Sequence, residues 1–323
     1  MGFVSLSELQ PTKISRDLKG KYVLLYGRAK SGKTSLAANF PRNLLLATEI
    51  GYHGLASIYA ADIDSWSTFK KYLRELDQDS AKERFETVTI DTISILWDLC
   101  EKYICQQNDV QTLGDVPYGK AYRLCEKEFS EALRKITLMG YGLVFIAHSE
   151  IRIEKIGDSE VEFIAPALNK RPFAIVNALV DIIGYIGTEF DKEGNSIRKI
   201  YTRQTPTIMA GSRFKYLVPV IPLGYTELAN ALADAIEKSG RLDGAIITDE
   251  QLIPVEQVAR SFEETMLEAK ELFLSLANDD RKLELVNKSI KEWFGNELFR
   301  LSEAQPSQQE LVENVIADMR SIK

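Results

Sequence analysis

Eight consecutive residues have the types and spacing to hold phosphate. Gly27-Arg28-Ala29-Lys30-Ser31-Gly32-Lys33-Thr34 fits G-x-x-x-x-G-K-[ST] at every position, and Ser35 follows it into a helix-prone run. Glycines let successive backbone N–H groups turn inward around an anion, and a helix N-terminus behind them adds partial positive charge. In such a loop Lys33 reaches the β- and γ-phosphates, and the Thr34 hydroxyl ligates Mg²⁺. Asp91, 57 residues after Thr34 and at the end of Thr87-Val88-Thr89-Ile90, has the type and place to meet that magnesium. Glu49 follows Leu44-Leu45-Leu46-Ala47-Thr48. A carboxylate there orients and deprotonates a water attacking the γ-phosphate, or else starts the next turn as a solvated acid. His148 closes Leu143-Val144-Phe145-Ile146-Ala147. It makes a local hydrogen bond, or it senses the γ-phosphate and passes that state to the segment after it.

These groups need one scaffold to meet. Residues 22–26, 43–48, 85–92 and 142–148 are short apolar runs of the kind that form parallel strands buried on both faces. Ligands of open α/β sheets bind at the carboxyl edge of the strands, which is where Gly27, Glu49, Asp91 and His148 fall. Trp66, Phe69, Leu73 and Leu76 have helical spacing, residues 93–107 continue as a helix, and Tyr118-Gly119-Lys120 leads into another that runs to about Leu138. Residues 106–117 form a polar stretch, long for a compact domain, and read as functional or mobile.

After His148 the pattern predicts a hairpin, 151–156 and 161–164 across a Gly157-Asp158 turn. Arg152, Lys155, Lys170 and Arg171 lie in or beside it, as solvated charges or as contacts for a nucleic-acid strand. A short helix over 173–180 precedes a strand at 181–187, which pairs with 198–203 across 191–195. Arg213, in Gly211-Ser212-Arg213-Phe214, is the first candidate for an arginine that reaches a neighbouring subunit's γ-phosphate, and Arg203 the second; either also suits a surface acid.

At 323 residues, 45% of them hydrophobic, the chain has room for one large α/β core and something more. The excess charge is not shared. Between Asp249 and Lys323 there are 16 acidic and 9 basic residues, a net of -7, which is the net charge of the whole chain, so residues 1–248 balance. A neutral core concentrates any nucleic-acid contact in a few loops. Domains are expected at 1–245, the nucleotide-binding core, and 246–323, an acidic module with helices over 255–278, 281–293 and 307–319. That module reads as a helical cap, or as an autoinhibitory or partner-binding unit whose acidity competes with DNA for the core's loops. Its Trp293, Phe294, Leu298, Phe299, Leu301, Leu311 and Val315 suffice for a small core of its own. Cys100, Cys105 and Cys125 lack metal-ligand spacing and, with only His53 and His148 available, read as reduced core residues. No apolar run approaches a membrane span and no basic leader opens the chain, so a cytoplasmic protein without membrane contact is expected.

In their order, Walker A at 27–34, strand-end Glu49, Walker B Asp91, strand-end His148, antiparallel strands and Gly211-Ser212-Arg213-Phe214 resemble the RecA-type ATPase core. More narrowly, the chain is similar to phage-encoded AAA-family nucleotide-binding proteins that include the RecA-core branch of the Sak single-strand annealing proteins. Tyr26-Gly27, Ile90-Asp91-Thr92, Tyr118-Gly119, Ile146-Ala147-His148 and Ala210-Gly211-Ser212-Arg213-Phe214 carry the resemblance, which covers roughly residues 15–240. It implies a RecA-like core with a mainly parallel sheet and antiparallel edge strands. It also implies ATP and Mg²⁺ held by Gly27 to Ser35, with Thr34 and Asp91 on the metal. Glu49 matches the catalytic glutamate, His148 the γ-phosphate switch, and 106–117 and 149–168 the two DNA-binding loops. The implied activity is a DNA-stimulated ATPase that anneals or recombines single strands. Its implied partners are single-stranded DNA, further copies of the chain with ATP at their interface, and a single-strand binding protein. A helicase-type motor or loader, and an ATP-binding scaffold with negligible turnover, remain as alternatives on the same core. Two departures stand out: no N-terminal polymerising module of the full recombinases, and a tail beyond the group's minimal ending.

Overall fold

The computed structural model of the chain describes residues 10–156, 159–250, 261–296 and 299–322, with backbone alone at 154–156 and 159. The Gly157-Asp158 turn, Leu298, the side chain of Lys155 and the expected helix start at 255 lie outside the described residues. Residues 11–254 form one compact unit, and the helices after residue 255 belong to another.

The first unit is built around a ten-stranded sheet. A short strand β1 (Lys13–Ser15) precedes β2 (Tyr22–Gly27), and the phosphate loop delivers β2 into α1 (Lys33–Ala38). Then come β3 (Asn43–Ala47), β4 (Tyr59–Asp62), α2 (Trp66–Leu76), α3 (Asp79–Arg84), β5 (Thr87–Asp91) and α4 (Ile93–Gln107). The long helix α5 (Lys120–Leu138) leads to β6 (Gly142–Ile156), β7 (Ser159–Pro166) and α6 (Lys170–Leu179). The antiparallel part follows as β8 (Ile182–Phe190), β9 (Ser196–Tyr201), β10 (Gly211–Ser212) and β11 (Val220–Pro222), closed by α7 (Tyr225–Asp243) and β12 (Ile246–Thr248).

The sheet runs β11-β9-β8-β2-β6-β5-β3-β4, and β8, β2, β6, β5, β3 and β4 are parallel to one another. The phosphate-loop strand β2 is therefore separated from the Asp91 strand β5 by β6. Such strands need cover on both faces, and they have it. Trp66, Phe69, Trp97, Phe129 and Phe145 build one buried cluster, while Val23, Leu25, Leu36, Ile146, Ile186, Leu228 and Leu232 build the other. On the first side Trp97 meets Phe129 edge to face at 5.1 Å between ring centroids. On the second lies α7, whose Leu228, Leu232, Ala235 and Ile236 repeat at helical spacing.

Three features depart from the expectations. β6 does not stop at His148: it continues for 15 residues in all, pairing with β5 and β2 first and with β7 from Ser149 onward. The stretch 106–117 is not without structure: it stays largely exposed, but Leu113 is buried and Thr112 and Asp115 close a capping box around a 3-10 turn. The core also reaches past 245, because β12 pairs in parallel with β1 and Arg16 binds Asp249 at 2.8 Å.

The second unit holds α8 (Phe262–Leu276), α9 (Asp280–Phe294) and α10 (Gln309–Ile322). Ala269, Leu276, Val286, Val312, Val315, Ile316 and Met319 form a buried cluster entirely its own. Ser261 with Glu264 and Asp279 with the N–H groups of Arg281 and Lys282 cap the first two helices. Among the described residues, no helix is long and apolar enough to cross a membrane.

Candidate functional site

Register brings the chemistry together. Gly27 at the end of β2 lies opposite His148 on β6, Asp91 at the end of β5 lies opposite Ile146, and Ala47, two residues before Glu49, lies opposite Asp91. All four groups thus emerge at the carboxyl edge of the parallel strands. Gly27 must be glycine: a Cβ there would stand 2.6 Å from the Ile186 carbonyl and 3.0 Å from Ser31 Oγ. Gly32, at φ +99°, turns the loop into α1 through the left-handed region that glycine enters without strain.

Thr34 donates its hydroxyl to Asp91 Oδ2 at 2.7 Å, joining the loop to the neighbouring strand end. Burial pushes the Asp91 carboxyl above the usual carboxylate range, against the pull of Thr34 and Lys33. Lys33 is buried too, and its ammonium donates to the carbonyls of Gly27 at 3.0 Å and Arg28 at 2.8 Å. That burial holds its pKa below the ordinary lysine value, with Asp91 and Glu49 acting in the opposite sense. Glu49 is fixed from two sides, accepting from the Thr92 hydroxyl at 3.1 Å on Oε1 and meeting His148 Nε2 at 3.3 Å on Oε2. Thr92 is itself locked: its N–H donates to Thr48 Oγ1 at 2.8 Å, and Ser94 donates to its hydroxyl at 3.2 Å.

A cavity of roughly 470 Å³ opens among these groups, with Ala29, Lys30, Gly32 and Ser35 on one wall and Gly51, Gly54 and Leu55 on another. The residues suit a triphosphate with magnesium. Ser31 Oγ is buried without a hydrogen-bond partner among the described residues, a donor that a phosphate oxygen would satisfy. Lys33 offers a desolvated cation, and the Thr34 and Asp91 oxygens are the hard donors that magnesium takes.

Other expected residues lie elsewhere. Arg213 sits at the opposite edge of the sheet, paired with Asp181 at 3.2 Å and with the Ala178 carbonyl. Arg203 donates to the carbonyls of Lys215 at 3.2 Å and Leu217 at 3.1 Å. Arg152 bonds Glu150 at 2.6 Å and the carbonyls of Pro166 and Leu168, which ties the hairpin base together. Arg171 pairs with Glu126 and lies 4.5 Å over the Tyr122 ring, and Lys170 is exposed at the start of α6.

Sequence reading passed over Thr48, Thr92, Ser94 and the 51–55 connection. It also passed over Arg198, which reaches the cavity from β9. Thr48 and Thr92 follow directly on the strand ends at Ala47 and Asp91 and were open to detection there; Arg198 carries no local signal. Tyr26 is a further surprise: its hydroxyl, inside the core, donates to the carbonyls of Met209 and Ile164, so the phosphate-loop strand is tied to β7.

Residues 19–214 match the family described as AAA domain. Over 321 residues, 97% of each chain, the sequence is 26% identical to the SPbeta prophage-derived uncharacterized protein YorG of Bacillus subtilis (strain 168).

Proposed function

The chain belongs to the AAA-domain family, and from that premise we propose that it is a Mg²⁺-dependent ATPase that binds single-stranded DNA and promotes annealing or recombination of strands in phage DNA metabolism. The observation that carries the hydrolytic part is the pair of contacts beside the cradle, Thr34 to Asp91 at 2.7 Å and Glu49 between Thr92 and His148. Lys33, the loop N–H groups and the start of α1 bind the phosphates. Thr34 and Asp91 would hold magnesium, which would supply positive charge against the phosphates. Glu49 takes the proton of the attacking water, and the Thr92 contact keeps one of its oxygens in place for that role. His148, bonded to the other oxygen, reads whether the γ-phosphate is present. An arginine from a second copy, Arg213 or Arg203, completes the charge around the transferred group.

Support for the DNA part comes from the hairpin. Ile151 and Ile153 are each 62% exposed on one side of β6, directly downstream of His148. Exposed apolar side chains on an extended strand suit contact with unstacked bases. The prophage origin printed in the name of its relative supports placing the activity in phage DNA metabolism.

An ATPase assay with and without single-stranded DNA, run alongside annealing of complementary strands, tests the proposal. Turnover that rises with DNA, together with accelerated annealing, supports it. Strand unwinding without annealing points to a motor, and binding without turnover to a scaffold. Lys33→Ala is expected to abolish nucleotide binding, and Glu49→Gln to keep binding while losing turnover by about 100-fold or more. Turnover retained in Glu49→Gln would remove Glu49 from the role of base.

A further inference from the structure

β9 alternates between the two sides of the sheet. Lys199 and Tyr201 face one side, where both bond Glu189 of β8. Ile200 faces the other, packed with Ile186 and Val23 beneath α1 and α7. Arg198, two residues before Ile200, shares that second side and leans over the start of α1. Its Nη1 lies 2.9 Å from the point where a Cβ on Gly32 would be, and it lines the same cavity as Lys33, Thr34 and Ser35. The backbone at this point is pinned, since Leu223 N–H donates to the Arg198 carbonyl at 3.0 Å. Among the described residues, its guanidinium has no hydrogen-bond or ion-pair partner, unlike those of Arg152, Arg171, Arg203 and Arg213. An uncompensated guanidinium at the lip of a phosphate cradle is suited to an anion, because its planar fork matches paired phosphate oxygens.

Direction decides which phosphates. Glu49, Asp91 and His148 come from β3, β5 and β6, all on one flank of β2, and mark the γ end of the site. Arg198 comes from the opposite flank, by way of β8 and β9. We propose that Arg198 is a nucleotide-binding residue acting within its own chain, which contacts the α- and β-phosphates and so holds the charge of the leaving ADP. The proposal rests on reading the cradle as an ATP site. In the reaction the bond between the γ-phosphorus and its bridging oxygen breaks, with its electron pair left on the β-phosphate. The water oxygen bonds to the γ-phosphorus, and the water's proton goes to Glu49. Negative charge therefore collects at the end of the cradle that Arg198 faces.

Equilibrium titration of the full chain with ADP, ATP and GTP in the presence of Mg²⁺ tests this. Arg198→Ala is expected to weaken all three by the same factor, about tenfold or more. Arg198→Lys should fall between that variant and the native chain, and Lys199→Ala, facing the other side of the sheet, should bind as the native chain does. Unchanged affinity in Arg198→Ala overturns the proposal. So does a loss confined to the triphosphates, which would put the guanidinium at the γ end, or a loss that differs between ATP and GTP, which would put it on the base. If the native chain binds no nucleotide, or Lys33→Ala binds as well as the native chain, the reading of the cradle itself fails.

Discussion

Asp91 is a carboxylate kept largely out of water, and its raised pKa means that burial disfavours its charged form. A folded-state pKa above the unfolded value takes stability away as pH rises, so the penalty is absent below the unfolded pKa and grows as pH rises through the folded one. Asp91→Asn is therefore expected to raise the Tm of the nucleotide-free protein, by about 2–4 °C for each kcal/mol relieved in a unit of this size. The same change should cancel the stabilisation that Mg²⁺ with ATP gives the native chain. Differential scanning calorimetry with and without the ligand pair checks both halves, and a lower ligand-free Tm would contradict the first. Lys33 shows the same tension with opposite charge, and the two side chains partly relieve one another.

Among the elements, the β6–β7 hairpin is where the DNA reading is most exposed to measurement. Ile151→Asp with Ile153→Asp is expected to weaken single-strand binding by about tenfold or more while leaving ATP affinity unchanged, as fluorescence anisotropy of a labelled oligonucleotide would show. Arg152 belongs to a different experiment, because its bonds to Pro166 and Leu168 hold the hairpin base together. The strands and helices around the phosphate loop were legible because their signals are local: buried runs of apolar residues, or Trp66, Phe69, Leu73 and Leu76 at helical spacing. β4, with the short run Tyr59-Ala60-Ala61-Asp62, has no such signal and exists because β3 offers it a free edge. Arg198 was illegible for a related reason. Its approach to Gly32 depends on the pairing of β9 with β8 and of β8 with β2, a register that no stretch of sequence records locally.

At the scale of the molecule, the chain comprises two units with separate buried clusters, and the acidic excess belongs mainly to the smaller. A chain ending at Pro254 is expected to keep the main unfolding transition and nucleotide binding of the full protein. One ending at 245 loses β12, the Ile247 packing and the Asp249 partner of Arg16, so its Tm should be lower. Equal melting of the two truncations would show that β12 adds nothing to the core. The larger unit also contains one strand with two allegiances, since β6 is held by β2 and β5 up to His148 and by β7 beyond it. The strand runs unbroken from beside Glu49 into the hairpin. Five residues separate His148 from Ile153, a lever arm of about 17 Å at ~3.3 Å per residue. On that arm a tilt of about 5° at the phosphate end would displace Ile153 by about 1.5 Å, and a longer strand would carry the same tilt further.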